Sequence, residues 1–240
     1  SFIGLVGTAP NSQPALAAAL SIGVAGAQTG LDFTAVTEGK AGNSISVQLV
    51  NPATESAALS VVVTGLAIVV NLGTDASSLI SSTVLEVKNA IDSSTPASAL
   101  VSTALAGDGS GTAFVLIQSY LTDGEDEPFP LNEPVLVLGD QIKAAKAGTV
   151  GTLGLCFDSI FDQIGAAVVV VRVEDNADAS TEKANVIGGV GGANYTGLWA
   201  LVGAESKLGF APRILVAPGY TDDLAVATEL ISVAERIKGQ

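Results

Sequence analysis

The side chains that most often carry catalysis are scarce in this chain. It has no histidine and a single cysteine, Cys156, among 240 residues. Without an imidazole, a general base near neutral pH would need an Asp or Glu raised by about three pKa units, on the order of 4 kcal/mol of environmental work. A Ser-His-Asp triad is excluded for the same reason. Cys156 falls on the apolar side of its predicted helix, between Leu153 and Ile160, so we interpret it as a buried structural thiol.

A glycine-rich turn at Gly188–Gly192 is the one candidate for a phosphate or dinucleotide site. The G-x-G-x-x-G template, started at Gly189, finds Gly191 but places Asn194 where the third glycine belongs. The turn also lies well past the first strand, where this fingerprint is expected. The sequence contains no G-x-x-x-x-G-K-[ST] loop. We therefore favour a tight turn that passes close to neighbouring backbone.

Three groups of acidic residues could bind a hard cation, and we interpret all of them as solvated. They are Asp123, Glu125, Asp126 and Glu127; Glu174, Asp175, Asn176 and Asp178; and the helical pair Asp158 and Asp162. Neither of the first two matches a calcium loop, because the second lacks the turn glycine and the distant bidentate Glu. With no Cys/His cluster, zinc is excluded. The sequence thus predicts no catalytic, cofactor-binding or metal-binding residue, and no cofactor.

The composition limits the classes of partner. The chain is 48% apolar and 14% charged, which excludes disorder and weakly favours self-association. Its 24 acidic and 10 basic residues give a net charge of −14, which argues against direct nucleic-acid binding. No apolar run reaches the length of a membrane span, so we expect no membrane insertion. The nearest candidate, Ala15–Ala27, has no basic residue ahead of it and does not resemble a signal peptide.

The middle of the chain, residues 15–128, differs in pattern from its flanks. It is rich in Ala, Ser, Thr and Val, and Thr64-Gly65 marks a hairpin. Ser82 or Thr83 begins a helix that runs through Ile91. Strands are predicted at Leu31–Glu38, Ser44–Val50, Leu59–Val63, Ala67–Leu72 and Ala113–Gln118. This pattern predicts an α+β module with mainly antiparallel strands, closed by the polar loop Asp123–Pro128.

The flanks show alternating strands and helices. Strands are predicted at Ser1–Thr8, Pro134–Leu138 and Ala166–Val173, with a short interior strand at Arg213–Ala217. Helices are predicted at Asp140–Ala147 and Thr152–Ile164, between a Thr196 cap and Gly209, and at Asp222–Lys238. The last helix places Leu224, Ala227, Leu230, Ile231, Ala234 and Ile237 on its apolar side.

The predicted fold class is α/β plus α+β. Residues 1–14 and 129–240 form one discontinuous α/β domain, and residues 15–128 form an inserted module, since insertion at a loop costs little closure entropy. The chain begins at Ser1 and contains no methionine, and an α/β unit normally follows its last helix with another strand. We therefore expect native sequence to be missing at both ends.

Three segments resemble the tail sheath proteins of contractile-tailed bacteriophages and related injection machines. They are SFIGLVGTAP at Ser1–Pro10; FPLNEPVLVLG at Phe129–Gly139; and Ile160–Val173 together with Asn185–Tyr220. The residues of the turn, the helix and the strands are similar to those of the family. They occur in the same order and at the same spacing over most of residues 1–14 and 129–240. The module at 15–128 is only loosely similar to the family, whose members carry insertions there that face outward.

The resemblance implies a structural subunit rather than an enzyme. Such a subunit belongs to a helical sheath that surrounds the inner tail tube and contracts to drive the tube through the host envelope for genome ejection. The implied partners are copies of itself, the inner tail tube protein, and the baseplate and tail terminator proteins. The implied location is the virion tail, assembled in the bacterial host cytoplasm. Terminal arms of the family add strands to neighbouring subunits.

Charge complementarity is expected to guide contacts between copies. The candidate cations are Arg172, Lys207, Arg213, Arg236 and Lys238. Two other functions stay open at this point. The Thr/Ser/Val-rich strands of 31–72 and the acidic charge are compatible with a secreted adhesin or carbohydrate-binding module, although Phe33 is the only aromatic residue there. The turn at Gly188–Gly192 alone would suggest a small nucleotide-dependent α/β enzyme.

Overall fold

The structure is a computed structural model that describes residues 2–192 and 194–238. Ser1, the first residue of the first predicted strand, lies outside the described residues. The chain divides into two compact units: unit 1 is Ser1–Pro14 with Glu127–Gln240, and unit 2 is Ala15–Asp126. Helices and several sheets occur together, which confirms the mixed α and β content predicted from the sequence.

The strands and helices are numbered in chain order. The strands are β1 (Phe2–Thr8), β2 (Ala19–Ile22), β3 (Gly30–Ala35), β4 (Ser46–Val50), β5 (Ser60–Thr64), β6 (Ala67–Asn71), β7 (Val101–Ala106), β8 (Leu116–Tyr120), β9 (Pro134–Leu138), β10 (Ala167–Val173), β11 (Gly189–Gly191), β12 (Asn194–Thr196) and β13 (Ile214–Val216). The α-helices are α1 (Val84–Ser93), α2 (Thr95–Ser98), α3 (Gln141–Ala145), α4 (Leu153–Phe161), α5 (Ala179–Ile187), α6 (Ala204–Leu208) and α7 (Leu224–Lys238). Short 3₁₀ helices span Ala25–Ala27, Lys40–Ser44 and Gly197–Gly203.

Unit 1 is built on a four-stranded sheet with the order β13-β1-β10-β9. Strands β13, β1 and β10 are parallel, and β9 runs antiparallel to β10. Strand β10 is central, and Val168–Val171 in its middle are fully buried, as expected for a strand covered on both faces. The register pairs Phe2 with Ala167 and Thr8 with Val173, so β1 and β10 end at the same level.

Helices cover both faces of this sheet. On one face Leu153 and Phe157 of α4 pack against Leu5, Val168 and Val170. On the other face α5, α7 and the 3₁₀ helix Gly197–Gly203 pack against the opposite side chains of β1 and β10. Successive valines of β10 point to opposite faces of the sheet and so belong to two different cores. Because both faces are covered, residues 167–171 are all apolar.

Three predictions for unit 1 were wrong in detail. The strand predicted at Arg213–Ala217 is shorter, and it lies at the edge of the described sheet rather than in its interior. Thr196 makes no side-chain cap, because it ends β12 and its hydroxyl bonds to Gly189 instead. Helix α4 ends at Phe161, and Ile164, predicted on its apolar stripe, is 67% exposed.

The buried side of α7 also differs from the prediction. Val226 and Val233, which the prediction left out, are buried; of the predicted side, Ile237 is buried and Leu230 packs against the core, whereas Leu224 and Ile231 are 82% and 62% exposed. Both sets recur at helical spacing, so the sequence period alone could not select between them. The core side of the helix therefore combines Val226 and Val233 with Leu230 and Ile237 of the predicted stripe, and only Leu224 and Ile231 of its large apolar residues are largely exposed.

Unit 2 combines two sheets with α1 and α2. One sheet has the antiparallel order β2-β3-β7, and the other has the order β5-β6-β4-β8, with β4 and β6 parallel. Thr83 caps α1 in a capping box with Glu86, which decides between the two predicted starts. The sequence prediction missed β2 and β7, and it placed the last strand at 113–118 instead of Leu116–Tyr120. Phe33, Val47 and Ile91 belong to a separate core.

In the segments 2–192 and 194–238, no helix is both long enough and apolar enough to cross a membrane.

Candidate functional site

Ligands of open α/β sheets bind in the crevice outside the carboxyl ends of the parallel strands. In unit 1 this place is filled by the protein's own loop before α4. Thr152 accepts a hydrogen bond from the Thr8 amide on its Oγ1 atom at 3.1 Å, and its own amide donates to the Thr8 carbonyl at 3.0 Å. Gly7 makes this approach possible, because a side chain there would collide with Thr152 Oγ1. The loop therefore lies directly over the end of β1.

Tyr220 fills the neighbouring part of the same crevice. It is 7% exposed, and its hydroxyl donates to Glu182 Oε1 at 2.9 Å and lies 3.4 Å from Thr8 Oγ1. Burial raises the pKa of the Tyr220 hydroxyl, and the adjacent Glu182 acts in the same direction. The phenol therefore stays protonated and serves as a hydrogen-bond donor within the protein.

The glycine-rich turn forms the ribbon β11–β12. Gly188 has φ of +64°, and a side chain there would collide with the Thr196 carbonyl, which fits the predicted tight turn close to neighbouring backbone. An open cavity of about 560 Å³ lies beside the ribbon, with Asn132, Glu174 and Asn185 among its lining residues. The described lining includes no Lys or Arg, and Glu174 adds negative charge. This chemistry does not favour a phosphate.

Cys156 is half-buried on α4 and carries a free thiol. Burial raises the pKa of this thiol, so its reactive thiolate form is disfavoured near neutral pH. Cys156 is thus less buried than the sequence predicted, and its structural role stays a prediction.

Asp126 and Glu127 of the first acidic group bond to their own chain. Asp126 Oδ1 accepts a hydrogen bond from the Lys40 amide at 2.8 Å, and Glu127 forms an ion pair with Arg172. Asp158 and Asp162 are exposed on α4. Among residues 2–192 and 194–238, no group of three or more His, Cys, Asp or Glu side chains is placed to hold a metal ion.

Asp178 is the N-cap of α5. Its Oδ2 atom accepts hydrogen bonds from the Ser180 hydroxyl at 2.6 Å, the Thr181 hydroxyl at 2.7 Å and the Thr181 amide at 2.9 Å. These bonds, led by the one from Ser180, lower the pKa of Asp178 to about 2. The sequence signal was available, because Asp followed by Ser and Thr before a helix is a capping pattern.

The five candidate contact cations divide into two groups. Arg172 is paired with Glu127 inside unit 1, and Lys207 lies 3.6 Å from Glu133. The other three are exposed and have no ion pair within the described part of the chain: Arg213, Arg236 and Lys238.

The two edges of the unit 1 sheet differ. At the β9 edge, the amide of Gly139 donates to the carbonyl of Ala166, so Gly139 points its main-chain groups toward β10. Successive residues of a strand point these groups alternately toward and away from the partner strand. The carbonyl of Leu136 therefore points away from β10. The Lys143 ammonium donates to this carbonyl at 3.0 Å. Pro134 begins the strand. A lysine and a proline on an edge strand both disfavour pairing with another strand.

At the other edge, the three residues of β13 include no Lys or Pro, although Pro212 and Arg213 directly precede the strand. Ile214 is 52% exposed, and no strand of the described residues pairs with the outer side of β13. Sequence reasoning missed this asymmetry, because β13 was predicted to lie inside the sheet. Among the described residues, unit 1 thus has a crevice filled by its own side chains and an edge strand, β13, whose outer side has no partner strand.

Comparisons with known proteins place this geometry in context. The chain is 40% identical over 134 residues to the tail sheath protein of Escherichia phage P2 and 38% identical over 122 residues to the major tail sheath protein of Serratia phage KSP20. It is 35% identical over 118 residues to a prophage protein of Pseudomonas aeruginosa strain UCBPP-PA14 that is named as a major tail sheath protein. No protein-family model matches the chain.

The matches cover 53%, 48% and 49% of this chain and 34%, 30% and 31% of the relatives. The chain therefore spans about a third of the length of the curated relatives it matches. These similarities confirm the resemblance to bacteriophage tail sheath proteins. The relatives are structural proteins and not enzymes, in agreement with the prediction that this chain is not an enzyme.

Proposed function

We propose that this chain is part of a structural subunit of a contractile tail sheath. The sheath surrounds the inner tail tube and contracts to drive the tube through the host envelope for genome ejection. The observation that carries the proposal is the 35–40% identity to three phage and prophage sheath proteins. The filled crevice at the ends of β1 and β13 supports a role in assembly rather than in ligand chemistry.

Residues 1–14 and 129–240 are proposed as the conserved sheath domain, and residues 15–128 as an outward-facing module. Residues 15–126 contain ten acidic and two basic residues, so this part of the chain has a net charge of −8. Such a charge favours contact with solvent over close packing against copies of itself. The structure divides the chain at nearly the same positions, which supports this assignment.

Strand addition by neighbouring subunits is proposed for the outer side of β13. The outer main-chain groups of this edge have no strand partner among the described residues, whereas the β9 edge is protected by Lys143 and Pro134. Main-chain hydrogen bonds give affinity with little dependence on side chains, so the joint tolerates movement between subunits. The partners proposed are copies of this chain, the inner tail tube protein, and the baseplate and tail terminator proteins. The sheath would assemble in the host cytoplasm and function in the virion tail.

Electron microscopy of the full-length gene product tests the proposal. A sheath subunit should polymerise into hollow cylinders with helical order. A product that stays monodisperse in conditions where the named relatives polymerise would overturn the assignment.

A matched variant tests the role of the β13 edge within the same assay. Leu215→Pro removes a main-chain donor from the outer side of β13, while Leu138→Pro removes an outward-pointing donor from the protected edge strand β9. Cylinders should be lost with the first change and persist with the second, provided that both proteins keep the circular dichroism spectrum of the parent.

A further inference from the structure

Three exposed cations that form no ion pair with any described residue lie at one corner of unit 1. Arg213 precedes β13, and Arg236 and Lys238 lie in the last turn of α7; all three are exposed. The acidic residue of that turn, Glu235, is exposed as well. In a chain with a net charge of −14, this corner is an exception.

The same corner contains a groove. It has a volume of about 290 Å³ and is lined by Pro212, Arg213, Leu215, Ala234, Ile237 and Lys238. We call it the basic groove. Its floor is apolar and its rim carries two cations, so it suits a surface that presents carboxylates together with apolar atoms.

A surface of that charge lies at the opposite end of the same sheet. Glu174 and Asp175 directly follow β10, Asp178 caps α5 and Asp222 precedes α7; all four are exposed. We call these four residues the acidic end. Within the described ranges, none of the four forms an ion pair, although Lys183, which is paired with the adjacent Asp223, also attracts Asp222.

The register fixes how far apart the two surfaces lie. Ile3 pairs with Ile214 and Thr8 pairs with Val173, so Arg213 is level with the start of β1 and Glu174 lies just beyond its end. The seven residues of β1 separate them by about 23 Å along the strands. One copy therefore presents opposite charges at opposite ends of one rigid sheet.

We propose that the basic groove of one copy docks on the acidic end of a second copy. A contact between two different surfaces of the same chain is heterologous and open-ended, so it propagates into a row or helix of copies and does not close as a dimer. Nucleic acid is a poorer occupant, because two or three cations neutralise few phosphates and the rest of the chain repels them. The inference rests on the proposed function, in which many copies lie side by side.

Zero-length cross-linking of the unaltered chain tests the contact. A carbodiimide joins a lysine amine to a carboxylate that touches it, and a mixture of ¹⁴N- and ¹⁵N-labelled protein identifies links between molecules. Lys238 should link to Glu174 or Asp175 of another copy at low salt. Raising the salt to about 0.5 M should lower the yield about tenfold, because exposed charges are then screened within a few ångströms. Lys40, exposed in unit 2, is the matched amine and should show no preferred acidic partner.

Charge reversal provides an independent test by sedimentation. Arg213→Glu with Lys238→Glu, and Glu174→Lys with Asp175→Lys, should each abolish concentration-dependent association. An equimolar mixture of the two proteins should restore it, because each reversed surface then meets a complementary one. Glu38→Lys with Glu55→Lys changes the net charge equally at exposed residues of unit 2 and should leave association unchanged.

Two results would overturn the docking proposal. One is that the cross-links of Lys238 are distributed over many carboxylates as evenly as those of Lys40. The other is that the mixture of the two charge-reversed proteins associates no better than either protein alone. If a reversed variant does not fold, the cross-linking of unaltered protein still decides. Cylinders of the full-length product without this cross-link would leave the sheath role standing and remove only this contact. If the cross-link forms but the full-length product makes no cylinders, the contact is supported and the sheath role is contradicted.

Discussion

The Nζ atom of Lys143 donates a hydrogen bond to the outward-facing carbonyl oxygen of Leu136, at 3.0 Å, on edge strand β9. This bond occupies a main-chain group that another strand could use, and it holds a charge where an approaching sheet would have to bury it. The Lys143 side chain thereby disfavours pairing at one edge of the sheet, while no described strand pairs with the outer side of β13 at the other edge.

Lys143→Met should therefore make the chain more prone to edge-to-edge association. The substitution keeps an unbranched side chain of similar length but removes the donor and the charge. Light scattering at fixed protein concentration should rise faster than for the parent, while the free energy of unfolding changes by less than about 1 kcal/mol. Lys40→Met removes an exposed lysine that is not on a strand and serves as the control. Equal scattering from both variants would show that the Lys143 side chain does not protect the edge.

Gly7→Ala should destabilise unit 1. The added carbon would collide with Thr152 Oγ1 and press on Leu153 Cδ2 at 3.1 Å, so the loop over the end of β1 must move. Overpacking of this kind costs about 1–3 kcal/mol. Urea unfolding followed by the fluorescence of the single tryptophan, Trp199 in unit 1, measures the loss.

A double-mutant cycle tests whether the destabilisation by Gly7→Ala comes from the collision with Thr152. Thr152→Ala removes the hydroxyl and loses its bond to the Thr8 amide, but it also removes the collision. The double variant should therefore be more stable than the sum of the two single effects predicts. Gly165→Ala is the control, since a side chain there meets nothing within 4 Å. Strict additivity would show that the loop does not fill the crevice tightly.

The main features of unit 1 could be predicted from the sequence because their signals are local. Strand β9 has the predicted bounds, β10 differs by one residue, and Gly209 ends α6 in the left-handed conformation. Each depends on a run of apolar residues or on a glycine next to it. The absence of histidine in the sequence likewise limited the possible chemistry without any coordinates.

Features that depend on tertiary neighbours could not be predicted in this way. The position of β13 at the edge depends on which strands pair with it, and strand order leaves no trace in a three-residue segment. The buried side of α7 depended on a choice between two stripes of equal period. The bond from Lys143 to Leu136 joins residues seven apart, but it acts only because β9 is an edge strand.

Thr83→Ala should destabilise unit 2 without altering unit 1. Thr83 Oγ1 accepts from the Glu86 amide at 3.3 Å, and the Glu86 carboxylate accepts from the Thr83 amide at 2.8 Å. Loss of such a cap costs about 1 kcal/mol, and Thr83→Ser, which keeps the hydroxyl, should cost little. Circular dichroism should show an earlier unfolding transition for the alanine variant, while the Trp199 fluorescence transition stays in place. A shift of both transitions together would show that the two units unfold as one.

Asp178→Asn should weaken the fold in a pH-dependent manner. The side-chain oxygen of asparagine can still accept a hydrogen bond from the Thr181 amide, so the variant removes the charge of the cap and keeps its shape. The folded pKa of Asp178 is about 2, below its ordinary value of 3.8, because the carboxylate accepts hydrogen bonds from Ser180 and Thr181. A depressed pKa contributes stability that is present above the unfolded value and is lost as the pH falls through the folded value.

The difference in urea midpoint between the parent and Asp178→Asn should therefore be constant above about pH 5 and shrink steadily as the pH falls from about 4 toward 2. The effect should be small, because the carboxylate is exposed and screened by solvent. Asp158→Asn, an exposed change on α4 at a carboxylate with no hydrogen bond among the described residues, should show no such trend. A difference that grows on acidification would mean that the cap stabilises α5 through the neutral acid instead of the carboxylate.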